Sequence, residues 1–330
     1  MTTRARTLSS SLERRVIGGP AMGSRWSVIL WVTRDCDLSD LTARLAARMA
    51  GLEAALSRFR ADSEVVVLDG APLGEWQPVS RDLAEVVAVG LDVGRRSGGA
   101  FDIGLAAEVA ACGFGRGWAG SGASRSRAVP AHKAIEIDFA GRRIRKHAPV
   151  SLDLAGIAKG WAVDELSRLV GEAGFACHLV ALDGELRAGA AQPRTQRSGT
   201  SPWMIGLEAP AFGRRTVIGR IDLVDRAVAT SGDNRRFGAR GGHSIDPATG
   251  RPVADGPASV TVLAATCMAA DAWATALMVR GRNGLPAAQA VGVEALFVTR
   301  EPIAIPTATP GRDPQVSGSS AGCRVRMPSS

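Results

Sequence analysis

Strand-like runs follow one another through the second half of this 330-residue chain without a helix between each pair. Apolar alternation and turn residues predict strands at Arg25–Val32, Cys177–Leu182, Glu185–Ala188, Trp203–Leu207, Val217–Leu223, Ala227–Ala229, Ser259–Ala264 and Ala295–Val298. Helical spacing predicts helices at Leu38–Phe59, Asp82–Arg95, Gly156–Val170, Thr266–Val279 and near Pro286–Ala290. Because strands and helices do not alternate regularly, the pattern predicts an α+β fold.

The basic composition does not carry the signature of a nucleic-acid-binding protein. The formal net charge is +8 and the isoelectric point is about 10.2, yet the arginines are scattered and the only lysines are Lys133, Lys146 and Lys159. The sequence has no arginine-rich helix and no basic stripe interleaved with aromatic residues. A basic solvated surface is therefore favoured over a nucleic-acid footprint, and we expect no nucleic-acid partner.

The cysteines and the N-terminus limit the expected sites and compartments. The five cysteines are far apart and form no CxxC pair, which argues against a thiol zinc site and a disulfide framework. The basic N-terminus has no apolar h-region, and no stretch is long enough to span a bilayer. We therefore expect a cytoplasmic protein with no membrane span.

A loop of small and polar residues surrounds His243, one of only four histidines. Loops on a rigid scaffold commonly carry chemistry, and an imidazole beside cationic side chains favours an anionic substrate. A structural loop histidine is the alternative. The other polar residues of this loop are Thr230, Ser231, Asp233, Arg235, Arg236 and Asp246.

The segment Ser151–Asp164 reads as a strand end, the turn Ala155-Gly156 and a helix that carries Lys159 in its first turn. Exposed backbone N–H groups at a helix start favour an anion, and small residues let a phosphate approach. The glycine spacing is not that of a Walker A loop. A phosphate site and a tightly packed strand–helix turn both remain open.

Asp271 and Thr275 are four residues apart on a predicted helix, so both oxygens lie on one face. A carboxylate and a hydroxyl form part of a hard-oxygen ligand set suited to Mg²⁺. A capping or core hydrogen bond is the alternative.

Two glycine-flanked residues are ambiguous when taken alone. Asp102 lies in the GGAFDIG turn, where it either contacts a ligand or forms an Asx-turn. Met22 precedes the first strand in AMGS, and a methionine there is either a core residue or a ligand contact.

Taken in order, these segments resemble one family, the ApbE-type flavin transferases, which are FAD:protein FMN transferases. The resemblance covers roughly residues 20 to 300, and its strength lies in the order and spacing of the whole set. The segments are MGS at 22–24, LSRF at 56–59, GGAFDIG at 98–104, SLDLAGIAKGWAVD at 151–164, DGE at 183–185, the run 203–210, ATSGDNRRF at 229–237, HSIDPATGRPV at 243–253 and ADAWATAL at 270–277.

The resemblance implies an ApbE-like, T-fold-type α+β domain that cleaves FAD with the help of Mg²⁺. The FMN moiety passes to a Thr or Ser hydroxyl of an acceptor protein, and AMP is released. By the same resemblance, Asp271, Thr275 and the carbonyl of Ala155 hold the metal, and His243 is the candidate base. The positions that line the flavin pocket are Met22, Asp102, Lys159, Glu185 and Asp233. The implied acceptor is a flavin-carrying subunit or domain of an electron-transport or reductase system.

The chain departs from the family pattern at several positions without losing a metal-ligand or base candidate. Ala155 stands where glycine is common, Ser24 where threonine is usual, and the turn at Asp183 reads DGE in place of GGD. Trp161 and Asn234 stand where tyrosine is frequent. Hydrolysis of FAD to FMN and AMP is an alternative reaction, and a non-catalytic FAD-binding assembly protein is an alternative of another class.

The expected organisation is a single catalytic domain. We predict a flexible N-terminal segment at 1–18, the ApbE-like domain at 19–305 and a disordered tail at 306–330, which is rich in Pro, Gly and Ser.

Overall fold

Antiparallel strands form the centre of the fold, which the computed structural model describes for residues 12–114, 129–193, 199–210, 216–232, 244–299 and 325–326. The strands are β1 Glu13–Ala21, β2 Ser24–Val32, β3 Gln77–Pro78, β4 Ile135–Asp138, β5 Arg143–Lys146, β6 His178–Leu182, β7 Glu185–Ala188, β8 Gln192–Pro193, β9 Thr200–Ser201, β10 Trp203–Glu208, β11 Val217–Leu223, β12 Ala227–Gly232, β13 Ile245–Asp246, β14 Arg251–Pro252, β15 Ser259–Ala264, β16 Glu294–Val298 and β17 Val325–Arg326. The central sheet has seven strands in the order β1-β2-β6-β7-β12-β15-β16. Every pair of neighbours in it is antiparallel, so the predicted α+β class is confirmed.

Helices cover one face of the central sheet. They are α1 Ser39–Leu56, α2 Glu64–Gly70, α3 Arg81–Arg96, α4 Ala106–Ala111, α5 Ala131–Ala134, α6 Ala158–Glu172, α7 Cys267–Arg280 and α8 Leu285–Gln289. α1, α6 and α7 contact the sheet directly, and α3 packs on α1 and α7. Their apolar faces and the sheet bury the main core. Within the described residues, none of the helices has both the length and the apolar character needed to cross a bilayer.

The opposite face of the sheet carries a second, smaller core. Leu179, Val228 and Leu263 of the central sheet are buried with residues of the β10–β11 hairpin such as Leu207 and Ile221. The sheet is therefore apolar on both faces, and each face is covered by a different layer.

A part-buried charge network joins three of the helices. Arg48 of α1 donates to Asp82 of α3 at 2.7 Å and to Glu165 of α6 at 2.7 Å. The indole N–H of Trp161 also donates to Asp82, at 3.0 Å. Because each charge has an opposite partner, the network fixes the position of α6 against α1 and α3 without leaving an unpaired ion.

The prediction of a flexible segment at 1–18 is wrong for residues 13–18, which belong to a strand. Glu13–Ala21 form β1, an edge strand that pairs with β2 over nine residue pairs. The run mixes charged residues with glycines and a proline, so it has no clean apolar alternation. One glycine is required by contact, since a Cβ on Gly18 would lie 2.4 Å from the carbonyl oxygen of Trp26.

Other parts of the fold also went beyond the prediction. The sequence patterns did not predict α2, α4 or the β13–β14 hairpin, all of which are short. Residues 1–11 lie outside the described part of the chain. Of the predicted tail at 306–330, only Val325–Arg326 are described, and they pair with β11.

α6 lies close against α7 at Gly160, and this contact generates a prediction about stability. A Cβ on Gly160 would lie 2.4 Å from the carbonyl oxygen of Cys267, so Gly160→Ala forces two backbones apart. We expect the free energy of unfolding to fall by about 1–3 kcal/mol, which is the usual cost of overpacking a core.

Gly171→Ala is the matched control, because Gly171 lies on the same helix with nothing within 4 Å of its Cβ position. This control should gain about 0.5–1 kcal/mol, as expected when alanine replaces glycine in a helix. Urea denaturation followed by circular dichroism measures both. Equal stability of the two variants would contradict a contact-limited packing of α6 on α7.

Candidate active site

The chain enters the site past Leu152, which is anchored by a part-buried aspartate. Leu152 N donates to Asp69 Oδ1 at 2.9 Å, and Arg58 forms an ion pair with the same carboxylate at 2.5 Å. Arg58 also donates to the carbonyl oxygen of Leu152. Arg58 of the LSRF segment thus holds the backbone at Leu152 in place, a role that its motif alone did not reveal.

Three backbone N–H groups in and after the turn at Ala155-Gly156 are hydrogen-bonded within the protein. Ala155 N donates to Asp153 Oδ1 at 2.9 Å, while the N–H groups of Ile157 and Ala158 donate to the carbonyl oxygen of Leu154 at 3.1 and 2.8 Å. These three N–H groups are therefore not free to bind a phosphate. Of the two alternatives for this segment, the geometry favours the tightly packed strand–helix turn.

Gly156 places this turn directly on α7. A Cβ at Gly156 would lie 2.9 Å from Thr275 Oγ1 and 3.3 Å from Phe101 of the GGAFDIG segment. Only a glycine therefore fits between Thr275 and Phe101. The exposed Ala155 is the residue before it, so its carbonyl belongs to the same turn that Thr275 contacts.

Asp271 lies one helical turn before Thr275 and is buried. Its Oδ2 accepts a hydrogen bond from Gly160 N at 3.0 Å, so one carboxylate oxygen joins α7 to α6. Burial, followed by the negative charge of Glu185, raises the pKa of Asp271 to about 8. The predicted core hydrogen bond is thus present, and it uses one of the two carboxylate oxygens.

Lys159 brings its ammonium group to the same place from α6. Its Nζ lies 2.9 and 3.0 Å from the two carboxylate oxygens of Glu185 and 3.2 Å from Asp183 Oδ2. Burial opposes the charged form, but the carboxylates of Glu185, Asp271 and Asp183 together raise the pKa of Lys159 above its usual value. Lys159 and Glu185, both predicted to line the flavin pocket, are therefore ion-paired with each other.

Two further polar residues join the site, Ser231 from the polar loop and Asp183, which the sequence patterns did not assign to it. Ser231 Oγ lies 3.4 Å from Thr275 Oγ1, which places the end of β12 against α7. Asp183 joins the site through Lys159, from the turn between β6 and β7. In the sequence, only the departure from the family pattern, DGE in place of GGD, had drawn attention to Asp183.

Asp164 fixes the start of α7 relative to α6. Its two carboxylate oxygens accept from Cys267 N at 2.8 Å and Met268 N at 2.9 Å, and Arg187 pairs with it at 3.1 Å. Thr266 caps the same helix by accepting from Ala269 N. These bonds satisfy the first N–H groups of α7. They also fix the position of α7 along the axis of α6, and with it the position of Asp271.

The remaining predicted site residues lie apart from this ion cluster or outside the described chain. Asp102 is buried and forms an Asx-turn by accepting from Gly104 N at 2.8 Å, and it also accepts from Ala131 N. Met22 packs against the core at the β1–β2 turn with a positive φ of 50°, and its N–H donates to Glu53. His243 and Asp233 fall within residues 233–243, which lie outside the described residues.

The oxygen-rich donor set fits a small, hard cation. Asp271, Thr275 and Ser231 offer carboxylate and hydroxyl oxygens beside the Ala155-Gly156 turn, and such oxygens are the ligands that Mg²⁺ prefers. Among the described residues, no group of three or more His, Cys, Asp or Glu side chains is arranged to hold a metal. A cation here would therefore rely on one carboxylate, neutral oxygens and ligands from the substrate or water.

The buried carboxylate of Asp271 makes the stability of the metal-free chain depend on pH. The folded chain keeps a proton on Asp271 up to about pH 8, whereas an unfolded chain loses it near pH 4. Stability from the protonated form is thus full below about pH 4 and is lost as pH rises through about 8. Asp271→Asn removes this loss and still accepts from Gly160 N.

We therefore expect Asp271→Asn to gain stability relative to the parent as pH rises from 5 to 9, by about 2–4 kcal/mol. Urea unfolding in EDTA across this range measures the difference. Asp40→Asn, on the exposed start of α1, is the control and should show no such trend. A pH-independent difference between Asp271→Asn and the parent would contradict the assignment.

Comparison with known proteins identifies chains of similar sequence and fold. A sequence model of the ApbE family matches residues 22–297. The FAD:protein FMN transferase of Salmonella typhimurium is 30% identical over 290 residues, which cover 83% of this chain and 81% of that protein. The flavin transferase ApbE from Vibrio cholerae superposes with a TM-score of 0.77 at 29% identity, over 88% of this chain and 95% of that one. The Pseudomonas stutzeri flavinyl transferase ApbE in its apo form gives a TM-score of 0.75 at 31% identity, over 88% and 93%.

Proposed function

Because this chain belongs to the ApbE family and is a flavin transferase, we propose that it attaches the FMN part of FAD to a Thr or Ser hydroxyl of an acceptor protein. The acceptor oxygen attacks the phosphorus of the FMN half of the pyrophosphate. A phosphoester bond forms, the bond between the two phosphates breaks, and AMP leaves with the electron pair. Positioning and charge neutralisation dominate phosphoryl transfers of this kind.

The observation that carries the proposal is the convergence of oxygen ligands around Gly156. Asp271 and Thr275 lie one turn apart on α7, and the Ala155-Gly156 turn rests on Thr275. We propose that Asp271, Thr275 and the carbonyl of Ala155 hold Mg²⁺. When bound, Mg²⁺ supplies positive charge that neutralises the pyrophosphate oxygens. Asp271 can serve in this way while its Oδ2 accepts from Gly160 N, since the other oxygen has no hydrogen bond within the described residues.

His243 is the residue we propose as the general base. It would accept the proton of the acceptor hydroxyl as the new phosphoester forms, and an imidazole suits that role near neutral pH. The described chain is held in place on both sides of this segment. Before it, Ser231 contacts Thr275, and after it, the backbone carbonyl of the buried Ser244 accepts from Val253 N at 2.9 Å. The segment that carries His243 therefore starts beside the proposed metal ligands.

The flavin-binding roles and the acceptor are also proposals. Asp233, Met22 and Asp102 are proposed to line the flavin pocket, together with the ion pair of Lys159 and Glu185. We propose that the acceptor is a flavin-carrying subunit or domain of an electron-transport or reductase system. The cytoplasmic location stays a prediction.

Acceptor mass tests the proposed function directly. The chain is incubated with FAD, Mg²⁺ and a set of Ser- or Thr-containing flavin-acceptor domains, and each acceptor is measured by intact mass spectrometry. We expect one acceptor to gain the mass of FMN less one water, in step with released AMP. AMP release that is equal with and without acceptors would instead identify hydrolysis. Tight FAD binding with no AMP under any metal condition would identify a non-catalytic FAD-binding protein.

Replacement of His243 tests the base. His243→Ala should lower kcat by about 10²–10⁴-fold while FAD affinity changes little, because a general base acts mainly in the transition state. AMP release gives kcat, and flavin fluorescence gives FAD affinity. His147→Ala is the control, since His147 is an exposed residue bonded to Glu136. Unchanged kcat in His243→Ala would remove His243 from the mechanism.

A further inference from the structure

The ammonium group of Lys159 contacts two of the three carboxylates that surround it. Its Nζ lies within 3.2 Å of both Glu185 and Asp183. No ion pair within 4.0 Å joins it to Asp271 in the described part of the chain. Asp271 is nevertheless close enough for its charge to help raise the pKa of Lys159. The ammonium is therefore held to one side of a buried carboxylate that it could otherwise neutralise.

The β6–β7 turn is shaped to hold the ammonium on that side. Asp183 adopts a left-handed conformation with φ of 63°, which is unfavourable for a residue with a Cβ. The N–H of Gly184 donates to Glu185 Oε2 at 3.1 Å, so the turn also orients the second carboxylate. Aspartate tolerates this conformation in turns better than most residues, so the turn can keep the Asp183 carboxylate 3.2 Å from Lys159 Nζ.

The position of the ammonium matters because it competes with other cations. Lysine has a long flexible stem and a compact charge, so a released Lys159 can reach other acceptors nearby. Asp271 is buried, and in such surroundings the attraction between opposite charges is stronger than in water. An ammonium paired with Asp271 would occupy the carboxylate that the proposed divalent cation needs.

We propose that Asp183 and Glu185 form a clamp that keeps the Lys159 ammonium away from Asp271, so that Asp271 stays open to a divalent cation. Asp183 and Glu185 act here as positioning residues, and neither needs to touch the cation. The inference rests on the proposed function only for the presence of that cation at Asp271. It requires neither FAD nor an acceptor, and this allows it to be tested separately.

Binding of Mn²⁺ alone tests the clamp. The full chain is titrated with Mn²⁺ in the absence of FAD and acceptor, and free Mn²⁺ is measured by electron paramagnetic resonance. Glu185→Gln removes the carboxylate that holds Lys159 with both oxygens. We expect the Kd for Mn²⁺ to rise about tenfold, comparable to the loss of one charge-assisted hydrogen bond.

Loss of a nearby negative charge also weakens cation binding, so the test uses a double-mutant cycle. In a Lys159→Met background no ammonium remains to be released. The effect of Glu185→Gln should then fall to about twofold, which reflects only the lost charge. The double variant replaces a buried ion pair with neutral residues, a change that chains commonly tolerate. Equal weakening by Glu185→Gln in both backgrounds would overturn the clamp.

Asp183→Asn gives a second measurement at a more exposed residue. Asparagine tolerates the left-handed conformation, so the turn is retained. The Kd for Mn²⁺ should rise by a smaller factor than in Glu185→Gln, and this rise should disappear in the Lys159→Met background. The matched control is Asp225→Asn, because Asp225 also has a positive φ, of 48°, in the turn between β11 and β12. The control should bind Mn²⁺ as the parent does, and a change equal to that of Asp183→Asn would contradict the proposal.

The outcomes separate this proposal from the proposed function. If the parent chain shows no saturable Mn²⁺ binding, the clamp is overturned together with the metal role of Asp271. If Mn²⁺ binding follows the expected cycle but no acceptor gains FMN, the clamp stands and the proposed transfer fails.

Discussion

The close approach of α6 to α7 is the constraint on which the site depends. At Gly160 and Gly156 the chain of α6 and its preceding turn lies so near α7 that a Cβ would meet Cys267 or Thr275 within 3 Å. Asp164 and Asp271 then bridge the two elements by accepting backbone N–H groups of the opposite one. Because each of these contacts has backbone atoms on at least one side, small shifts are costly, and Lys159 and Thr275 are held in a fixed relation.

This packing concentrates negative charge where the helices meet. Asp183, Glu185 and Asp271 surround a single ammonium group, that of Lys159. A buried excess of carboxylates is unfavourable unless a proton or a cation compensates it. The raised pKa of Asp271 is the proton-bound solution. A cation-bound solution is the one that phosphoryl transfer from FAD would use, so the unfavourable charge and the proposed chemistry are two aspects of one arrangement.

The regular elements could be predicted well because their signals are local. The predicted strands Cys177–Leu182 and Glu185–Ala188 correspond to the β6–β7 hairpin, and the predicted helix Thr266–Val279 corresponds to α7. β1 could not be predicted, because pairing with β2 stabilises a run whose own pattern is broken by glycines and a proline. The site shows the same limit. The i, i+4 spacing placed Asp271 and Thr275 on one face, but no pattern showed that Lys159 pairs with Glu185, or that Ser231 reaches Thr275. These contacts join residues far apart in sequence, whereas His243 and Asp233 stay predictions.

The location of Ser231 links the two halves of the proposed site. β12 ends beside α7, and the described chain resumes at Ser244, next to the β13–β14 hairpin. At one boundary Ser231 contacts Thr275, and at the other the buried Ser244 is hydrogen-bonded to Val253. The segment 233–243, which carries the proposed base, follows β12 in the chain, and Ser231 of β12 contacts the helix with the proposed metal ligands. The contact between Ser231 and Thr275 therefore places the chain that leads to the proposed base beside a proposed metal ligand. The acceptor hydroxyl, in contrast, would arrive on another protein.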